Sequence, residues 1–183
     1  MRARSDLLRC RIAVAAAFAI AVTSPAWAAE RGHGHGAHVH GHAKMNVAVD
    51  GAKLEIGLDA PGANIVGFEH APSTPAEKAA IVAAAEKLRA GGSLFRFPAE
   101  AGCKMDAAEV EAPEPAKQDA KAEVHSEFEA RYRFTCAHPA ALSWVEVGLF
   151  KAFPSLEEID VQALSPRGQT GAELTPKEPV LKF

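Results

Sequence analysis

The sequence has no excess of positive charge, no long apolar run and few cysteines. Its 183 residues include 20 Lys and Arg against 23 Asp and Glu, for a formal net charge of −3. A protein that coats nucleic acid needs a basic face to neutralise phosphates, so this balance argues against nucleic acid as a partner. Hydrophobic residues make up 48% of the chain, which is too many for a wholly disordered protein and enough for one core. The composition therefore indicates a small globular domain.

Sequence motifs of common catalytic sites are also missing. The chain has no H-E-x-x-H pattern and no glycine-rich phosphate loop, and Ser126 and Ser143 are not in a nucleophile elbow. A catalytic zinc site usually combines three fixed protein ligands with a positioned base. The sequence therefore predicts a protein that is not an enzyme.

The first 28 residues have the pattern of a secretory signal peptide. Four arginines precede or border an apolar run from Ile12 to Val22, and Ala26-Trp27-Ala28 is a cleavage pattern. Because this run is shorter than the roughly 20 residues that span a bilayer, we expect cleavage after Ala28 and no membrane span in the mature protein. The segment carries four Arg and one Asp, so its loss changes the net charge from −3 to −6. The sequence therefore predicts an exported protein.

Two cysteines remain after the expected cleavage, because Cys10 leaves with the signal peptide. An even number of cysteines in an oxidising compartment predicts a disulfide, here between Cys103 and Cys136. In the chain-entropy model, closing a loop of this length stabilises the fold by roughly 3.5 to 4 kcal/mol.

Hydrophobic periodicity in the first half of the mature chain predicts a hairpin and a helix. Residues 43–50 and 53–59 alternate between apolar and polar positions, and Asp50-Gly51 supplies the turn between them. Thr74-Pro75-Ala76-Glu77 is a capping box with proline at the first helical position, and Gly91-Gly92 ends the helix. We expect the helix to pack on the sheet through its apolar stripe.

The second half predicts further strands and one polar insertion. Residues 126–136 alternate strictly, and 144–150 and 159–164 are also expected to be strands. A polar insertion at about 106–122 is rich in Pro, Ala, Lys and Glu and is expected to be disordered from about Ala112. The predicted fold class is α+β: a single domain over 43–183, with a mainly antiparallel sheet and one capping helix, preceded by a disordered histidine-rich segment at 29–42.

Five of the eight histidines fall within ten residues: His33, His35, His38, His40 and His42. No packing periodicity requires this spacing, whereas imidazole is a good ligand for zinc, nickel and copper. In extended backbone, side chains at i and i+2 share a face, so His38, His40 and His42 are expected to continue the outward face of the first strand. The intervening glycines allow the backbone to fold around an ion. The pattern predicts a metal-binding segment, and a solvated tail without a ligand is the alternative.

The other three histidines are weaker candidates for metal ligands. His70 follows Glu69, and His125 precedes Glu127 by two residues, so each has a carboxylate nearby that could ligate a metal or orient the ring. His138 is a lone histidine, and such a residue is more often a satisfied turn or core residue than a ligand. Sequence spacing alone does not show whether these side chains meet.

Four stretches of the chain resemble the ZrgA-like family of periplasmic proteins, which are linked to zinc uptake. These stretches are HGHGAHVHGHAKMNVAVDG, NIVGFEHAPSTPAEKAA, HSEFEARYRFTC and LFKAFPSLEEIDVQALSPRGQTGAELTP. The resemblance runs from about His33 to Phe183 and implies a histidine-rich accessory protein that binds Zn²⁺ and supports an uptake transporter. It brings forward His70 and His125 as family-type positions. The polar insertion contains no histidine, so a second metal-rich loop is missing.

Three alternatives remain open at this point. The protein could deliver scarce zinc through tight one-to-one binding, or buffer excess metal through weak binding of several ions. Nickel or copper could replace zinc, since affinity alone favours Cu²⁺ among divalent ions. Finally, the domain could be a non-catalytic module that binds a transporter subunit, with an incidental histidine-rich tail.

Overall fold

The computed structural model describes residues 40–113 and 126–183, which form a six-stranded sheet, a three-stranded sheet and three helices. The strands are β1 (His42–Asp50), β2 (Lys53–Pro61), β3 (Phe95–Arg96), β4 (Cys103–Glu111), β5 (Glu127–Cys136), β6 (Trp144–Val147), β7 (Glu158–Ser165), β8 (Gly168–Leu174) and β9 (Val180–Lys182). The helices are α1 (Gly62–Ile65), α2 (Pro75–Arg89) and α3 (Leu149–Ala152). Short 3-10 turns occupy Gly91–Ser93, Ala99–Ala101 and Pro139–Ala141.

The large sheet has the strand order β4-β5-β2-β1-β7-β8, and the small sheet has the order β3-β6-β9. Among the described strands every pair is antiparallel except β1 with β7, which run in the same direction. The prediction of a sheet-rich α+β fold with few helices is therefore confirmed. The parallel pairing of β1 with β7 was not predicted.

The core lies between one face of the large sheet and a layer made of α2 and the small sheet. Alternation along each strand of the large sheet puts one set of side chains on this face, including Met45, Leu58, Phe128 and Tyr132. The phenol of Tyr132 donates a hydrogen bond of 3.1 Å to the backbone oxygen of Leu88 in α2. The other face of the sheet is polar and open to solvent.

Two local predictions, the hairpin turn and the capping box, are confirmed. Asp50 pairs with Lys53 across a two-residue turn in which Gly51 has a φ of 55°. At the start of α2 the Glu77 backbone N–H donates to Thr74 Oγ1 at 3.2 Å, and the Thr74 backbone N–H donates to Glu77 Oε2 at 2.9 Å. Hydrogen bonds to the Glu77 carboxylate, first from the Thr74 backbone N–H and then from the backbone N–H and hydroxyl of Ser73, lower the pKa of Glu77 to about 2.

The disulfide between Cys103 and Cys136 is also present. The two residues are directly opposite each other on β4 and β5, with their Cα atoms 3.8 Å apart. The bond thus joins an edge strand to its inner neighbour at one end of the pair.

Some predicted boundaries were wrong. The polar insertion was expected to begin at about 106, but β4 continues to Glu111 and bulges between Met105 and Ala107 as it pairs with β5. The strand expected over 144–150 stops at Val147, because the Gly148 backbone N–H donates to Leu94 and a turn of helix follows. The cleavage site and most of the insertion lie outside the described residues.

Candidate metal centre

Three side chains with metal-ligating atoms converge on the open face of the large sheet. They are His42 at the start of β1 and Glu158 and Asp160 on β7, and one ligand atom from each lies within 4.8 Å of the others. His42 Nδ1 is 3.3 Å from Glu158 Oε1. Among the described residues this is the one group of three or more such side chains close enough to share an ion.

The parallel pairing of β1 with β7 creates this arrangement. Its register sets His42 beside Glu158 and Lys44 beside Asp160. Neighbouring strands lie about 4.8 Å apart, and residues at i and i+2 share a face. Glu158 and Asp160 therefore both point to the polar face on which His42 lies, while Ile159 between them is buried in the core.

The geometry is compatible with a zinc ion. Zinc bonds to histidine nitrogen and carboxylate oxygen are about 2.0 to 2.2 Å long, so ligand atoms of a tetrahedral site lie about 3.3 Å apart. The separation of His42 Nδ1 from Glu158 Oε1 matches that spacing. One imidazole and two carboxylates would leave at least one coordination position for water or for another ligand.

The candidate centre is accessible to solvent. The His42 side chain is 37% exposed and the Glu158 side chain 29% exposed, and Asp160 is exposed. A cation could therefore enter and leave without a large rearrangement of the fold.

The surrounding charges favour cations. A cross-strand row on the polar face contains Glu129, Asp59, Lys44, Asp160 and Glu173, so one ammonium group lies among four carboxyl groups. Burial raises the pKa of Asp59, and the nearby Glu127 carboxylate raises it further, against the opposing effects of Arg131 and Lys44. An excess of carboxylates at this end of the sheet raises the local concentration of divalent cations.

The position of His40 corrects one prediction. His40 was expected to share an extended face with His42, but it is an exposed turn residue and β1 begins only at His42. Gly41 between them has a φ of 84°, a left-handed conformation that breaks the alternation of an extended strand. His40 is not part of the convergent group.

His70 lies near a different carboxylate from the one expected. Its Nε2 is 3.9 Å from Glu77 Oε1 at the start of α2, and its ring stacks on Phe68 with the centroids 5.0 Å apart. Its Nδ1 lies 3.1 Å from the backbone oxygen of Ala71. The adjacent Glu69 has one buried carboxylate oxygen, Oε1, with no hydrogen-bond partner among the described residues.

Glu127 and His138, the other described candidates, do not join the convergent group. Glu127 begins β5 opposite Pro61. His138 follows β5 at the other end of the large sheet from His42, where its backbone N–H donates to Ala101. His33, His35, His38 and His125 lie outside the described residues.

Sequence reasoning missed Glu158 and Asp160 as candidate ligands. Their i, i+2 spacing was visible in Glu157-Glu158-Ile159-Asp160 at the start of the strand predicted over 159–164, but an exposed carboxylate pair is common on any solvated strand. The missing information was the strand that lies beside them.

Comparison with known proteins adds one positive result. A family model described as "ZrgA family zinc uptake protein" matches residues 37–183. No curated protein matches the chain. In the described part of the chain, no helix is long and apolar enough to cross a membrane.

Proposed function

The chain belongs to the ZrgA family of zinc uptake proteins, and from that premise we propose that it is a periplasmic protein that captures Zn²⁺ and supplies it to an uptake transporter. The observation that carries the proposal is the convergence of His42, Glu158 and Asp160, with 3.3 Å between His42 Nδ1 and Glu158 Oε1. The signal-peptide pattern over residues 1–28 supports export.

In this proposal two groups of residues bind zinc. His33, His35, His38 and His40 form a capture segment with several interchangeable imidazoles, while His42, Glu158 and Asp160 form a folded zinc centre. His42 belongs to both, because it is the last histidine of the cluster and the first residue of β1. An ion held by the capture segment could reach the folded zinc centre by exchanging one ligand at a time.

The donor set of the folded zinc centre favours delivery over storage. Three side chains, all at least partly exposed, leave a coordination position open. An open position allows an acceptor protein to bind the ion before the centre releases it. A buffer for excess metal would bind several ions weakly through the capture segment instead.

A weaker second set of ligands belongs to the same proposal. His70 and His125, with Glu69 and Glu127 near them in the sequence, form this second set, and His138, at the other end of the large sheet from His42, is not included in it. The unpartnered buried oxygen of Glu69 supports a polar ligand or water near this segment. The identity of the metal is also open to test, because imidazole binds Ni²⁺ and Cu²⁺ as well.

A competition titration with a zinc chelator tests the proposal. The samples are the mature protein, His42→Ala, a variant with all five clustered histidines replaced by alanine, and His138→Ala as a matched control on a distant exposed histidine. We expect His42→Ala to weaken the tightest site and His138→Ala to leave it unchanged. If the five-alanine variant binds as much zinc as the wild type with the same affinity, the histidine cluster is not a ligand segment. Offering Ni²⁺ and Cu²⁺ in parallel determines the metal preference.

A further inference from the structure

Asn64 is one of two buried polar side chains in the described part of the chain, with 2% of its surface exposed. It lies in α1, and both ends of its amide are bonded to the backbone next to His42. The Gly41 backbone N–H donates to Asn64 Oδ1 at 2.7 Å, and Asn64 Nδ2 donates to the backbone oxygen of His42 at 2.6 Å.

The same short segment is also bonded to β7. The Gly41 backbone oxygen accepts hydrogen bonds from the backbone N–H groups of Glu157 at 2.8 Å and Glu158 at 3.0 Å. Gly41 is thus held by Asn64 on one side and by the start of β7 on the other. A continuous series of hydrogen bonds runs from Asn64 through Gly41 to the backbone of Glu158.

Gly41 itself leaves little room for adjustment. Its φ of +84° is unfavourable for any residue with a side chain, and a Cβ there would come within 3.2 Å of the Glu157 side chain. Asn64 is fixed in turn by α1, whose first residue, Gly62, packs so closely on Ser126 that a side chain would clash. The backbone that carries Asn64 and the backbone that Asn64 binds are therefore both constrained.

His42 needs this support because it begins β1. Strand ends fray when no partner continues beyond them, and a ligand on such an end would sample many positions. On the β2 side, the register of β1 starts only at Lys44 opposite Asp59. The two hydrogen bonds made by the Asn64 side-chain amide replace the missing strand partner next to His42.

We propose that Asn64 is a positioning residue of the folded zinc centre, which holds the backbone of His42 in register with Glu158 so that both ligands are in place before the ion binds. This inference rests on the proposed function. A purely structural Asn64 would affect the stability of the fold alone. A positioning Asn64 affects zinc affinity even in protein that is fully folded.

The test uses the full mature chain with His33, His35, His38 and His40 replaced by alanine, so that His42 is the only histidine left in the cluster. Asn64→Ala is compared in this background with Tyr132→Phe, which removes a different buried hydrogen bond, the one to Leu88 in α2. Zinc affinity is measured by chelator competition, folding by circular dichroism, and ligand geometry by the visible absorption of bound Co²⁺.

We expect Asn64→Ala to weaken zinc binding roughly tenfold or more, because removing a residue that orients a metal ligand typically has an effect of this size. The variant should also change the Co²⁺ spectrum. Tyr132→Phe should leave both unchanged. If Asn64→Ala does not fold, Asn64→Ser is the variant measured, since its hydroxyl can replace only one of the two bonds.

Folded Asn64→Ala or Asn64→Ser protein with unchanged zinc affinity and Co²⁺ spectrum would overturn the inference. That result is distinguishable from failure of the proposed function. In the latter case the background protein with intact Asn64 binds no zinc, or binds it equally well after His42→Ala.

Discussion

His42 and Glu158 begin two adjacent strands that run in the same direction, and the imidazole Nδ1 of one lies 3.3 Å from the carboxylate Oε1 of the other. The two residues are 116 positions apart in the sequence. Asp160 is added to the pair by the two-residue repeat of β7. A ligand from the end of the histidine cluster thus meets two carboxylates from a distant strand.

Removing either carboxylate should weaken the folded zinc centre. Glu158→Gln and Asp160→Asn keep the size of each side chain but remove a charged oxygen ligand, so each should lower zinc affinity by at least about tenfold. Glu173→Gln is the matched control, because Glu173 lies beside Asp160 on β8 but outside the convergent group. Isothermal titration calorimetry measures the zinc affinity of all three variants. Equal losses in the control would mean that general negative charge, not ligation, attracts the ion.

Zinc binding should weaken below about pH 6. Protons compete with metal for imidazole nitrogen near the ordinary histidine pKa of about 6.5, and bound metal must displace them. Calorimetry at pH 7.5 and 5.5 should therefore give a markedly weaker affinity at the lower pH. An affinity that does not change between these values would exclude histidine as a ligand.

The disulfide should account for a large part of the stability. Reduction of the Cys103–Cys136 bond opens a loop with a sequence separation of 33 residues, which corresponds to about 3.5 to 4 kcal/mol in the chain-entropy model. The double variant Cys103→Ser and Cys136→Ser should show a loss of this size in urea unfolding. A loss below about 1 kcal/mol would contradict the entropic estimate for this fold.

Acid should weaken the start of α2 in a defined pH range. Hydrogen bonds to the carboxylate lower the pKa of Glu77 in the folded state to about 2, so its stabilising contribution is present above its ordinary pKa, near 4.5, and is lost as the pH falls towards 2. The stability difference between wild type and Glu77→Gln should therefore shrink over this range. Urea unfolding at several pH values checks this, with Glu86→Gln, an exposed residue of the same helix, as the control. A constant difference would contradict the linkage.

Thr74 should be needed for the same helix end. Thr74→Ala removes the hydroxyl that accepts the Glu77 backbone N–H, and loss of such an N-cap typically costs about 1 kcal/mol of unfolding free energy. Thr74→Ser retains the hydroxyl and should lose much less. Denaturant midpoints of the two variants measure the difference, and equal midpoints would show that the cap contributes little here.

Local patterns in the sequence predicted the local structure well. Strand alternation identified β1, β2, β5 and β7, because each strand buries one face, and Thr74 with Glu77 identified the start of α2. β8 was missed, since Gly168–Leu174 contains mainly small and polar residues on an exposed edge and lacks an apolar alternation. Gly148 ended β6 earlier than its apolar run indicated.

Only one of the three side chains of the candidate centre was predicted from the sequence. His42 was identified because clustered histidines are rare outside metal-binding segments. Its partners depend on the parallel pairing of β1 with β7, and this contact between distant segments leaves no periodic signal in either strand. Asn64 was missed for a related reason, since its importance comes from the backbone of Gly41 and His42 that it binds.

The most direct test of the central claim is anomalous diffraction at the zinc absorption edge from a crystal of the mature protein grown with Zn²⁺. The account predicts a zinc peak about 2.0 to 2.2 Å from a nitrogen of His42 and from carboxylate oxygens of Glu158 and Asp160. A well-ordered zinc ion bound elsewhere, with His42 and Glu158 free of metal, would contradict it.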